Sequence, residues 1–321
     1  MAAQKMKFAG LVLGALATVL LSACREATSV TVYTSVDRSF SEPVLAAFED
    51  ATGIQIEALY DVEATKTTGL ASRLVAEADR PRADVFWNGE LVQTQRLAAQ
   101  GILEADWVTF GGRVRVLIVN TDRLEPDDYP SQVADFLSNR WPADQTAIAH
   151  PLFGTSATHA GALFALWGMP RGEAFYRDAK EAGVQIVDGN SVVRDMAVRG
   201  EILFGLTDTD DACGAVAQGA PVAVLFPDQD GMGALVIPNS AARVRGAPHP
   251  ESADQLIAWL QGDEAAEILF DAGWFHVIGK DVPEANACDL PGKVVAMEVP
   301  AAALVAGFDQ AQRMLRQTLV R

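Results

Sequence analysis

Between residues 30 and 89 the chain switches repeatedly between a period of two and a period near 3.6, and this alternation narrows the possible folds more than any other feature. Val30-Thr31-Val32-Tyr33-Thr34-Ser35 alternates as a strand with one apolar face does, and residues 42–52 then carry a helical pattern that stops at Gly53. A second strand spans residues 54–59. Thr67 or Thr68 caps a helix running to Ala78, and Ala83-Asp84-Val85-Phe86-Trp87 forms a third strand ending at Asn88-Gly89. Strands joined through helical crossovers run parallel, so the segment predicts an α/β lobe.

A second series follows. Residues 113–120 read as a long strand, residues 146–149, 184–187, 201–206 and 222–225 as shorter ones, and helices are expected after Thr155 and over residues 191–199. Pro227-Asp228-Gln229-Asp230-Gly231 breaks the pattern before a strand at residues 233–238, and helices fill residues 250–261, 264–272 and 301–317. The predicted fold is two α/β lobes, each a mostly parallel sheet flanked by helices. Two hinge crossings, near residues 118–122 and 226–236, would join them, giving a first lobe of residues 30–119 and 234–321 and a second of residues 120–233. Ligands of such sheets collect at the carboxyl ends of strands, and two such edges facing across a hinge make a cleft that closes on its ligand.

The first residues are of a different kind. Lys5 and Lys7 precede an apolar run over residues 8–21, then Leu21-Ser22-Ala23-Cys24, after which the chain turns polar. That is the pattern of a secretory signal, and the run is shorter than the about 20 residues a spanning helix needs. Leu-Ser-Ala-Cys resembles a bacterial lipobox, which implies cleavage after residue 23, lipidation of Cys24 and a short linker over residues 24–29. The expected location is therefore outside the cytoplasm, periplasmic or at the cell surface, with a lipid anchor as the membrane attachment. Loss of residues 1–23 takes the formal charge from −17 to −19, which disfavours nucleic acid as a partner. Cys213 and Cys288 remain, and an oxidising compartment would let them pair. No spacing of Cys and His suggests zinc.

The blocks Val32-Tyr33-Thr34-Ser35, Ala83-Asp84-Val85-Phe86-Trp87, Gly200-Glu201-Ile202 and Pro248-His249-Pro250-Glu251-Ser252-Ala253-Asp254-Gln255-Leu256 occur in the order seen in type II periplasmic solute-binding proteins. The chain resembles the ferric-iron-binding branch of that family across almost all of its mature length. The resemblance implies a monomeric receptor without a cofactor, which takes a small molecule or metal ion as cargo and hands it to the permease and ATPase subunits of an ABC importer. In that branch Fe(III) is held by two adjacent tyrosines. Here Leu206-Thr207-Asp208-Thr209-Asp210-Asp211 occupies the corresponding stretch, so that Asp210 and Asp211 stand in the tyrosine positions and Asp37 stands near the first-loop ligand. Carboxylates are hard donors, and Asp210, Asp211 and Glu90 are the candidate set for Fe(III).

A second ligand class is equally open on the residues. Gly154-Thr155-Ser156 opens a helix directly after a strand, where free N–H groups suit a phosphate or phosphonate such as 2-aminoethylphosphonate. Thr34, Ser35, Lys66, Thr67, Thr68 and Asn88 offer facing donors, and Asp208, Asp210 or Asp211 would meet an ammonium group. Ser and Thr before a helix are also ordinary caps, an acidic run is often a solvated turn, and Asp228 belongs as readily to a Pro-Asp turn as to a ligand. No nucleophile elbow, P-loop or zinc-protease helix is present, so binding is expected and catalysis is not; hydrolysis by the aspartates is the remote alternative.

Overall fold

The structure, a computed structural model, describes residues 28–61, 68–272, 274, 288, 290 and 294–319. The signal segment, Cys24, Lys66 and Thr67 lie outside the described residues. In the first half of the sheet, β1 (Ser29–Thr34) pairs in parallel with β2 (Gln55–Tyr60) and with β3 (Val85–Asn88). Helix α1 (Arg38–Thr52) buries Val44, Leu45 and Phe48, one face of a 3.6-residue period, and ends where Gly53 takes φ 70° and donates its N–H to Glu49 O. Phe48 packs with Val30, Val32 and Trp87 beneath α8 (Pro250–Leu260) and α9 (Asp263–Asp271). Asp84 joins two of the sequence blocks. Its carboxylate accepts the N–H groups of Thr31 at 2.7 Å and His249 at 2.6 Å, which fixes the start of α8 against β3.

Two long strands carry the chain between halves. β4 (Val108–Asn120) pairs antiparallel with β9 (Val236–Arg243) up to Val114, and from Arg115 onward with β7 (Phe204–Asp208) and, from Leu117, with β8 (Val222–Leu225). β5 (Thr146–Ala149) lies parallel to β6 (Gln185–Val187) and to β7. The nine strands run β2-β1-β3-β9-β4-β7-β5-β6, with β8 beside β4. The remaining helices are α2 (Thr68–Ala76), α3 (Val92–Ala99), α4 (Gly154–Trp167), α5 (Met169–Ala182), α6 (Asn190–Val198), α7 (Thr209–Ala217) and α10 (Ala301–Leu319). Each half thus has three parallel strands, and the antiparallel crossing strands join them, giving the predicted two-lobed α/β fold.

The lobe boundaries differ from those expected. β4 changes partners between Val114 and Arg115, so residues 115–119 belong to the second sheet half. The C-terminal helix also changes sides. Leu304, Phe308, Ala311 and Leu315 of α10 share a core with Leu163 and Phe164 of α4 and Tyr176 of α5, so this helix is part of the second lobe. Gly161 of α4 makes that contact close, because a Cβ there would lie 2.9 Å from Leu304 and 3.1 Å from Phe308. Cys213 of α7 is joined to Cys288 by a disulfide with Cα atoms 5.0 Å apart, within the range such bonds require.

Candidate functional site

The carboxyl ends of β1, β3, β5, β6 and β7 converge on a narrow cleft. Ser35, Asp37 and Gly89 line it from the first lobe, and His150, Asp188 and Asp208 from the second. Arg113 enters from β4, where the chain crosses between lobes.

Two helices aim their N-termini at this space. Neither α4 nor α6 has a side-chain cap, and no backbone acceptor among the described residues takes the N–H groups of Gly154, Thr155, Ser156, Asn190, Ser191 or Val192. Two positive dipole ends therefore meet at the cleft wall, where Gly154, Thr155, Ser156 and Asn190 bring backbone donors with no partner among the described residues. What binds the two helix starts together is Asp208. Its carboxylate accepts from Thr155 Oγ1 at 2.5 Å, Asn190 Nδ2 at 2.8 Å and Arg115 at 2.6 Å. Arg115 donates also to Asn190 Oδ1 at 2.9 Å, and Ser156 Oγ to the same oxygen at 3.3 Å. Burial alone would raise the pKa of Asp208, but Arg115 and Arg113 hold it below the usual carboxylate range.

The other aspartates are also paired with arginines. Arg113 donates to Asp210 at 3.1 Å and to Gly89 O at 2.5 Å, and its guanidinium lies 4.8 Å from the Trp274 ring centroid. Arg194 donates to Asp211 at 2.9 Å. Burial, with Asp208 and Asp37 nearby, raises the pKa of Asp210 despite Arg113. Burial lowers that of Arg113, and the attraction of Asp210, Asp208 and Asp37 more than reverses it. Arg113 is 4% exposed and lines the cleft, and its Nε has no partner among the described residues. It is a buried cation with hydrogen-bonding capacity to spare.

The sequence candidates divide into three groups. Ser35, Asp37, Thr155, Ser156, Asp208 and Asp211 line the cleft. Thr34 and Asn88 stand behind it: Thr34 Oγ1 accepts from Val36 N–H at 3.1 Å, and Asn88 Oδ1 accepts from Ser35 Oγ at 2.7 Å. Asp210 is also behind the wall, 2% exposed at the start of α7 and not in a solvated turn. Asp228 is elsewhere, holding a turn at φ 58° by accepting from Val133 N–H at 3.1 Å. Glu90 does not join Asp210 and Asp211. It accepts from the N–H groups of Val92 at 2.5 Å and Gln93 at 2.9 Å, and among the described residues no three metal-ligating side chains come together. The expected carboxylate set for Fe(III) is therefore not assembled, because each aspartate has an arginine and Glu90 caps α3.

Sequence reasoning missed Arg113, Arg115, Asn190, His150 and Asp188. The first two left a signal in the run Arg113-Val114-Arg115-Val116-Leu117, in which two charges sit on one face of an otherwise apolar strand. Buried arginines are rare without acidic partners, and the Asp208 to Asp211 run was the available source. His150 follows β5, and burial lowers its pKa against the opposing pull of Asp188.

Residues 30–275 match the family of bacterial extracellular solute-binding proteins. The major ferric iron-binding protein of Neisseria meningitidis serogroup B is 24% identical over 327 residues, covering 94% of this chain and 96% of that protein. The ferric binding protein of Campylobacter jejuni superposes with a TM-score of 0.80 at 16% identity, over 90% of this chain and 99% of that one. AfuA of Actinobacillus pleuropneumoniae, solved with fructose-6-phosphate bound, superposes with a TM-score of 0.72 at 16% identity, over 90% of this chain and 97% of that one. A matched family whose members are receptors and not enzymes, together with a cleft built from two facing sheet edges, gives one conclusion: the chain belongs to the bacterial extracellular solute-binding proteins and has the two-lobed fold of the ferric-binding proteins.

Proposed function

We propose that this chain is the lipid-anchored, extracytoplasmic receptor of an ATP-driven importer, and that its cargo carries a phosphate or phosphonate group. The observation that supports the cargo class is the pair of uncapped helix starts, Gly154 to Ser156 and Asn190 to Val192, held together by Asp208 beside the buried Arg113. An anion there receives backbone donors already fixed in direction, and Arg113 adds a charge-assisted bond. The acidic side chains at the same cleft, Asp188 and Asp37, suit a cargo that also carries an ammonium group, as 2-aminoethylphosphonate does. Lobe closure around the bound anion would present the closed form to the permease, and the Leu-Ser-Ala-Cys sequence is the basis for the anchor.

Fe(III) is the second reading, favoured by the names of the relatives in Neisseria and Campylobacter. Against it, Arg113 and Arg194 sit on Asp210 and Asp211, the two aspartates of the candidate metal set, and a trivalent cation would have to displace or approach those guanidinium groups. AfuA, which shares this fold, was solved with fructose-6-phosphate bound, and that supports a phosphorylated ligand.

The test is thermal melting of residues 25–321 with phosphate, 2-aminoethylphosphonate, hexose phosphates and Fe(III)-citrate. A ligand at 100 times its dissociation constant adds about 2.7 kcal/mol, which at roughly 2 °C per kcal/mol is a rise of about 5 °C. A rise with a phospho compound and none with iron is expected; a rise with iron alone overturns the anion reading.

A further inference from the structure

The lobes touch a second time, away from the cleft. A second cavity, of about 270 Å³ and open to solvent on one side, lies between α2 and α3 of the first lobe and α4 and α10 of the second, and it meets the cleft at Gly154, which lines both. At its inner end is Glu90, 2% exposed. Three of the bonds to its carboxylate come from its own lobe: Asn88 Nδ2 at 2.9 Å and the N–H groups of Val92 and Gln93. The fourth crosses the interface, where Thr158 Oγ1 of α4, 3% exposed, donates to Oε2 at 3.0 Å. At the outer end Arg96 of α3 forms an ion pair with Asp309 of α10, and its guanidinium lies 5.5 Å from the Phe308 ring centroid. Because Phe308 and Leu304 pack on Gly161, α10 moves with α4, so Arg96 also bridges the lobes.

We infer that Thr158 and Arg96 are positioning residues, which bias the lobes toward closure and thereby set cargo affinity without touching cargo. The inference rests on lobe geometry and stands whichever ligand the cleft takes. Thr158 is buried within an apolar helix, yet its hydroxyl is directed at a carboxylate on the other lobe. Glu90 already has three donors from its own lobe, so its place as a helix cap does not require the fourth. Opening the lobes breaks both bridges together and brings water to Glu90 and Thr158 at the inner end of the second cavity. A receptor that spends more of its time closed holds its cargo longer, since the apparent affinity scales with the population competent to close.

The experiment places spin labels at Asp50→Cys on α1 and Glu181→Cys on α5, both exposed, in the purified ligand-free chain, and measures the distance distribution between them. The parent is expected to show a dominant short population. Thr158→Val, which keeps the shape and removes the hydroxyl, is expected to raise the open-to-closed ratio about fivefold, and Arg96→Met by a smaller factor. Arg96→Met lies at the surface and serves as the second variant should Thr158→Val fail to fold by circular dichroism. A parent that is already open, or a distribution unchanged in the folded variants, overturns the inference.

Discussion

Arg115→Met is the perturbation that most directly tests how the cleft wall is held. Arg115 and Asp208 are each 1% exposed in their side chains, so removing the guanidinium leaves a carboxylate out of water with only Thr155 and Asn190 as neutral donors. Breaking one partner of a buried pair costs about 3–5 kcal/mol, and the two remaining donors place this case at about 3 kcal/mol. For a chain of this size that is a fall in melting temperature of about 6 °C at pH 7. The sign of the pH dependence follows from Asp208. Its pKa is held below the unfolded value in the parent, so its contribution is present above that value and is lost as pH falls through the native one. In the variant burial is no longer opposed by Arg115, the carboxyl takes up a proton at higher pH, and the gap between parent and variant narrows on acidification. Calorimetry at pH 7 and pH 4.5 reads both effects. The double variant Arg115→Met with Asp208→Asn should recover part of the loss at pH 7. A single variant melting within about 2 °C of the parent at pH 7, or a gap that widens in acid, refutes the account.

Three further outcomes are expected. Arg113→Met should weaken binding of a phosphonate by about tenfold to a hundredfold, the worth of a charge-assisted bond, whereas Fe(III) would bind no more weakly; titration calorimetry with each decides. His159 is buried in α4 with its pKa pushed down to about 3 by burial, with Arg115 adding and Asp208 opposing, so stability should decline as pH falls below the unfolded value of 6.5, by about 2 kcal/mol between pH 7 and pH 5. His159→Leu should flatten that limb in urea titrations, and an unchanged slope counts against it. Reducing Cys213–Cys288, 75 residues apart, frees a loop whose closure is worth about 4 kcal/mol, so the reduced chain should melt about 8 °C lower; equal melting of both forms would show that the loop is restrained by other means.

What was legible in the sequence was what local periodicity encodes. The strand at β1, the helix stop at Gly53 and the uncapped start of α4 are each written in fewer than a dozen neighbouring residues. The sequence places the partner switch in β4 five residues late, because its apolar run continues through Val119 on either side of the change and only pairing with β7 and β9 marks it. Helix α10 was placed in the wrong lobe for a related reason. Its apolar face reads the same whichever core receives it, and the small side of Gly161 that admits it lies about 140 residues away. The arginines that pair with Asp210 and Asp211 come from β4 and α6, 97 and 17 residues away, so neither ion pair is visible in the acidic run itself.

Arg113 and Arg115 stand two residues apart where β4 leaves one sheet half for the other. The charges at the cleft are thus rooted in the strand that links the two sheet halves, and through Asp210 and Asp208 they also tie the start of α7 and the end of β7 to that link. Any rotation of one half against the other would pivot about the same few residues that set the electric field of the cleft, so shape and charge there cannot change independently.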